Sequence, residues 1–230
     1  MGDATLTTID LGSDAPAARF DTLTIAIHWV TLLLIVAMFV SAWMFGGATD
    51  SASAGRLLLL HRSIGVTVWL LTMLRLAWKL TCGRSPALPD TIGHLQRLAA
   101  RANEYCLYGL LALQPITGFL QSTLHGKPFP LLWFSFPATV PRDRAWTKIF
   151  HEVHALGAWA LLGLIALHAS AALFHHFALG DGVLRAMLPG RGPVRQYQPS
   201  MTSTLPATVI AGRKSRPPVL RPSRAWRGCR

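Results

Sequence analysis

The amino-acid sequence predicts an all-α protein that crosses a membrane as a four-helix bundle. Of its 230 residues 51% are hydrophobic and only 14% charged, well below the charged content of ordinary soluble domains. Residues 25–45, 105–124 and 153–179 contain no Asp, Glu, Lys or Arg, and each run is long enough to cross a hydrocarbon core of ~30 Å. Residues 57–78 form a fourth run. Its only charges, Arg62 and Arg75, lie toward its two ends, where long side chains can reach the interface.

Taken in order, residues 1–22 form a polar, acidic extension without the basic start or cleavage pattern of a secretory signal. The first apolar run is therefore expected to remain as a helix of about residues 23–45. Further helices are expected at about 57–79, 104–124 and 152–179, giving a membrane domain of residues 23–189. Residues 190–230, rich in Pro, Arg and Ser and lacking a hydrophobic period, read as a disordered basic tail. Ten of the 22 Lys and Arg residues lie beyond Leu179, so the net charge of +12 is concentrated there and suits an anionic membrane surface rather than nucleic acid. Across four spans, fifteen Lys and Arg fall on the side of the two termini and five on the other, which predicts cytoplasmic termini. Cys82, Cys106 and Cys229 form neither CxxC nor CxxCH, so they offer no structural zinc site and no covalent c-type haem attachment. They are expected to be free thiols.

Histidines inside the apolar runs are the chemically informative feature. An imidazole in lipid needs a partner, and for any single one a hydrogen bond to the next helix suffices. Several together fit a sharper pattern. His154 and His168 are fourteen residues apart, which at ~100° and ~1.5 Å per residue returns to nearly the same helix face about 21 Å along the axis. His151, seventeen residues before His168, falls roughly 100° away and faces elsewhere. In this topology His28 lies early in the first helix on the cytoplasmic side, and His61 early in the second on the opposite side. Depth therefore pairs His28 with His168 and His61 with His154. Two bis-histidine sites without an acidic ligand suit b-type haem better than zinc, which takes four ligands or three and a water. With both axial positions filled, such iron carries electrons rather than binding oxygen.

Arg62, directly after a candidate ligand, is a candidate partner for a propionate of the outer haem. Arg75 with Lys79 could do the same for the inner one, the alternative for each being interface anchoring. Gly65, Gly157 and Gly163 would let a flat macrocycle approach a helix, or would simply pack helices. Tyr105, Tyr108 and Gln114 are candidates for a quinone site against ordinary packing. His175 and His176 are candidates for proton or quinone handling against a solvated interfacial pair. His125 and Lys127 open an outer loop able to attract a small anion, next to the run "FPLLWFSFP", expected in the interface as an aromatic belt. His94 reads as structural or solvated, and His151 as a hydrogen-bond donor near the outer haem against a membrane-surface histidine.

The segments "TLTIAIHW", "LLLLHRSIGVTVWLLTMLRLAWKL", "LALQPITGFLQS", "GKPFPLLWFSFP" and "HALGAWALLGLIALHASAALFHHF" together resemble the bacterial cytochrome b561 proteins, four-helix di-haem membrane cytochromes. The resemblance runs from about residue 23 to 189. It implies axial ligands at His28, His61, His154 and His168, one haem b near each face, and electron exchange with a membrane quinone such as ubiquinone in a bacterial inner membrane. It also implies superoxide as a possible periplasmic donor. The departures are the N-terminal extension and the basic tail. Whether the chain is an enzyme in its own right stays open at this point. One alternative is a membrane-anchor cytochrome subunit with a soluble redox partner subunit, of a dehydrogenase or hydrogenase. Another is a haem-free small transporter, disfavoured because no Asp or Glu lies inside a span.

Overall fold

A computed structural model describes residues 19–83, 92–131, 134–180 and 182–190. Among them are four long helices: α1 (Thr22–Gly46), α2 (Ser51–Thr81), α3 (His94–Leu124) and α4 (Arg144–Phe177). A short helix α5 (Val183–Met187) follows α4. Two-residue strands β1 (Phe129–Pro130) and β2 (Ser135–Phe136) pair antiparallel between α3 and α4. The fold is therefore helical, and α1, α2 and α4 are each long and apolar enough to cross a membrane. Helix α3 matches them in length but is less apolar, carrying Asn103, Gln114, Pro115, Thr117 and Gln121.

Three helix starts are fixed by aspartates. Asp21 accepts from the Thr24 amide, Asp50 from that of Ser53 and Asp143 from that of Trp146, satisfying N–H groups left open in a first turn. The hydrogen bonds from Ser53 hold the Asp50 carboxyl below its ordinary value. Two of these caps also join neighbouring helices. The Trp78 indole donates to Asp21 at 3.1 Å, tying the end of α2 to the start of α1, and the Asp143 amide donates to the Leu124 carbonyl at 3.0 Å, tying α4 to α3. At the turn after α3, Gly126 has φ +71°, and a Cβ there would lie 2.7 Å from the Arg142 backbone, so only glycine fits.

The chain turns its apolar surface outward. Leu33, Trp43, Leu156, Trp159 and Phe177 are exposed, whereas Thr31, Ser41, Ser63, Thr72 and Asn103 are buried between helices. This inversion suits lipid, where small polar residues allow close helix approach and return their hydroxyls to the backbone. Ser63 donates to the Leu59 carbonyl and Thr72 to that of Val68, each at 2.8 Å. Packing is closest within the α1–α2 and α3–α4 hairpins.

The helices differ from expectation mainly at their starts. Helix α3 begins at His94 and α4 at Arg144, about ten and eight residues before the expected 104 and 152, because polar, capped turns extend each helix beyond its apolar stretch. The aromatic run expected as an interfacial belt folds in part into the β1–β2 hairpin. Phe129 is buried, stacks on Phe136 with ring centres 5.5 Å apart, and meets Phe119 at 5.8 Å. Helix α5 was not foreseen. It docks on the start of α1, where the Trp29 indole donates to the Met187 carbonyl at 2.8 Å and Arg19 to the carbonyls of Leu188 and Gly190. Cys106 is free and exposed. The extension up to residue 18 and the tail from 191 lie outside the described residues.

Candidate haem site

Helix α4 faces α1 and α2 through its histidines. The rings of His28 and His168 have centres 6.3 Å apart, and those of His61 and His154 are also 6.3 Å apart. A first-row metal–imidazole bond is about 2 Å and a ring nitrogen lies about 1.1 Å from its ring centre, so two imidazoles sharing one ion have centres about 6 Å apart. Both pairs match this spacing. They also lie at two levels, because the α4 members are fourteen residues apart, about 21 Å along the axis. Among the described residues no three of His, Cys, Asp and Glu converge as a metal-binding group. The donor set at each level is a pair of imidazoles.

The pair of His61 and His154 is oriented from behind. His61 Nδ1 lies 3.2 Å from the Met38 carbonyl and 3.3 Å from Ser41 Oγ, both on α1. His154 Nδ1 lies 3.1 Å from the Gln114 carbonyl and 3.0 Å from Thr117 Oγ1, both on α3. The Gln114 amide also donates to the His154 carbonyl at 2.9 Å. Two glycines make room: a Cβ at Gly118 would lie 3.1 Å from His154 Cε1, and one at Gly157 only 2.5 Å from Gln114 Oε1.

A family model of prokaryotic cytochrome b561 matches residues 19–190, three quarters of the chain. The chain belongs to the prokaryotic cytochrome b561 family. Among its relatives, cytochrome b561 homolog 2 of Escherichia coli (strain K12) is 32% identical over 172 residues, covering 74% of this chain and 91% of that protein. Cytochrome b561 homolog 1 of the same organism is 31% identical, covering 75% and 98%. A protein of Yersinia pestis named "Probable superoxide oxidase CybB" is 29% identical, covering 74% and 96%. As a cytochrome b561, the chain is a multi-pass membrane protein that binds b-type haem and transfers electrons.

The residues around the histidine pairs suit an anionic macrocycle. Arg62 and Arg75 each bury an Nε that has no hydrogen-bond partner among the described residues. A buried guanidinium N–H without an acceptor is costly, and a carboxylate such as a propionate would satisfy it. The Arg62 guanidinium lies over the Phe129 ring at 5.1 Å, so the β1–β2 hairpin supplies its platform. Arg75 donates through Nη1 to His28 Nδ1 at 3.1 Å and lies over Tyr108 at 5.7 Å. An Nδ1 that accepts leaves the proton of a neutral ring on Nε2, so ligation through Nε2 requires Arg75 to release His28.

Other candidates are dispersed. Gln114 belongs to the outer level beside His154, whereas Tyr105 and Tyr108 lie near Lys79 at the opposite end, at 6.0 and 5.6 Å from its ammonium. These three do not line one site. Lys79 forms an ion pair with Glu104 across α2 and α3 at 2.5 Å. His125 is the exposed C-cap of α3 and His94 the exposed first residue of that helix. His151 is exposed and meets the Gln121 amide at 3.2 Å. His176 packs on Phe177 with ring centres 4.8 Å apart. Gly65 lies against Met38, and a Cβ at Gly163 would meet nothing within 4 Å. Sequence reasoning missed Ser41, Thr117, Met38 and Gly118. Helical Ser and Thr bonded to their own backbone look alike in a sequence, whatever lies beyond them.

Proposed function

We propose that this cytochrome b561 carries two b-type haems, ligated by His28 with His168 and by His61 with His154, and moves electrons between the membrane quinone pool and a donor or acceptor at the other surface. The observation that carries this reading is the matched 6.3 Å spacing of two imidazole pairs at two levels of α4. When bound, a b-type haem would supply one-electron exchange between ferric and ferrous iron. The chain's residues do the rest. The four imidazoles fix two levels, the Nδ1 hydrogen bonds of His61 and His154 leave their Nε2 atoms free to ligate, and Arg62 and Arg75 offer guanidiniums to propionates.

The Lys and Arg asymmetry supports an inner-membrane protein with both termini cytoplasmic, which puts His61 and His154 on the periplasmic side. On that side His125, Lys127, Arg142, Arg144, Lys148 and His151 are exposed, a basic rim that favours a small anion. Together with the name of the Yersinia pestis relative, this rim supports superoxide as the electron donor and quinone as the acceptor. At the opposite end Phe20, Thr24, Arg75, Lys79, Glu104 and Tyr108 line a recess about the size of a water molecule. The test uses the full chain in liposomes containing ubiquinone, with superoxide generated outside. Quinone reduction should follow superoxide supply and fail in both His154→Ala and His168→Ala. Quinone reduction at the wild-type rate in either variant would contradict the two-site relay.

A further inference from the structure

The two outer histidines sit in the same two-oxygen seat, although they belong to different hairpins. Ser41 Oγ donates to the Met38 carbonyl at 2.9 Å, and Thr117 Oγ1 to the Gln114 carbonyl at 2.8 Å. In each case a hydroxyl on one helix spends its proton on the carbonyl three residues earlier, and the imidazole of the next helix faces both oxygens. A carbonyl can only accept, and a hydroxyl whose proton is already committed presents a lone pair. The Nδ1 atoms of His61 and His154 must therefore carry protons, which leaves both Nε2 atoms unprotonated. Ser41 is buried, so water does not replace this arrangement.

The inner pair lacks the seat. His28 Nδ1 faces Arg75, a group that can only donate, and among the described residues no hydroxyl–carbonyl pair receives the ring of His168. The two levels thus differ in the proton chemistry behind the ligands. A ligating imidazole that gives its Nδ1–H to oxygen acceptors becomes a stronger base toward the metal and favours the oxidised ion.

We infer that Ser41 and Thr117 are positioning residues that lock the outer histidines in the ligating tautomer and hold the outer haem at a lower reduction potential than the inner one. The inference rests on the two-haem reading above. It gives that reading a direction, since electrons entering at the outer level run downhill to the inner level. No residue repeat announces the seat, because Ser41 precedes His61 by 20 residues and Thr117 precedes His154 by 37.

The test is spectroelectrochemical titration of the purified full chain, with the outer component identified as the one that disappears in His154→Ala. Thr117→Val keeps the shape and removes the acceptor, Thr117→Ser restores it, and Ser41→Ala removes the other. In Thr117→Val combined with Ser41→Ala, the ferrous-to-ferric ratio of the outer haem at fixed potential should rise several-fold. A rise of up to about tenfold corresponds to 59 mV for one electron. The inner haem should not move, and Thr117→Ser alone should titrate as wild type. Loss of the outer haem in Thr117→Val with retention in Thr117→Ser would also support the seat. A double variant that keeps both haems with the outer potential unchanged, or a wild type whose outer haem is the higher in potential, would overturn the inference. A folded wild type with fewer than two haems would instead overturn the reading beneath it.

Discussion

Replacing Gly118 with alanine tests the outer site through a single methyl group. The added Cβ would lie 3.1 Å from Cε1, 3.4 Å from Nδ1 and 3.8 Å from Nε2 of His154. Carbon atoms rest at about 3.5–4.0 Å, so the ring has to move by a few tenths of an ångström. Its freedom to do so is limited, because its Nδ1 is held at 3.0 and 3.1 Å by Thr117 and Gln114 of the same helix that would carry the methyl. Overpacking of this kind costs about 1–3 kcal/mol. Referred to haem retention at the outer level, that is roughly a five- to 150-fold loss of affinity. The assay is haem per chain in detergent, followed as haem transfers to a scavenging apoprotein. Gly163→Ala is the control, since its Cβ meets nothing within 4 Å and nine residues place it about 180° from His154 on α4. Gly118→Ala should shed one haem quickly and keep the other, while Gly163→Ala behaves as wild type. Wild-type retention in Gly118→Ala would refute the argument that His154 is pinned against α3.

Gly157→Ala should expel the Gln114 amide, whose Oε1 lies 2.5 Å from the new Cβ, and break its bond to the His154 carbonyl. One neutral hydrogen bond is worth about 1 kcal/mol, and Gly157→Ala combined with Gln114→Leu should be no less stable to heat than Gly157→Ala alone; additive losses would disprove the shared cause. Asp50 should titrate below its ordinary 3.8 when followed by NMR, because Ser53 donates to its charged form. Its folded-state pKa is depressed, so its contribution to stability is present above the unfolded value and is lost as pH falls through the folded one. Protection of the Ser53 amide, taken relative to its intrinsic exchange rate at each pH, should therefore fall only in that acid window, and in Asp50→Ala it should be low at every pH.

How far the sequence was legible depended on which constraint acted. Runs free of charge in α1 and α4, and charged only toward the two ends in α2, marked their membrane-crossing parts, because charge inside lipid is costly. The same signal missed residues 94–103 of α3 and 144–151 of α4, which are helical but polar. The meeting of His28 with His168 and of His61 with His154 was readable because helix period and alternating chain direction are both fixed quantities. The seats behind His61 and His154 were not readable, since they depend on which neighbour each hydroxyl meets across a helix boundary. The β1–β2 hairpin was hidden for a related reason. Phe129 and Phe136 have the composition of an interfacial belt, and only the chain path after Gly126 brings both onto Phe119 and Phe129 under Arg62.

The most direct test of the account is the haem content of the detergent-purified full chain, measured by pyridine haemochrome alongside its reduced-minus-oxidised spectrum. The same count is then made in His154→Ala and His168→Ala. The account predicts about two b-type haems per wild-type chain and one in each variant, with a different spectral component lost each time. A single haem in the wild type, or two retained in either variant, would contradict the assignment of the two histidine pairs.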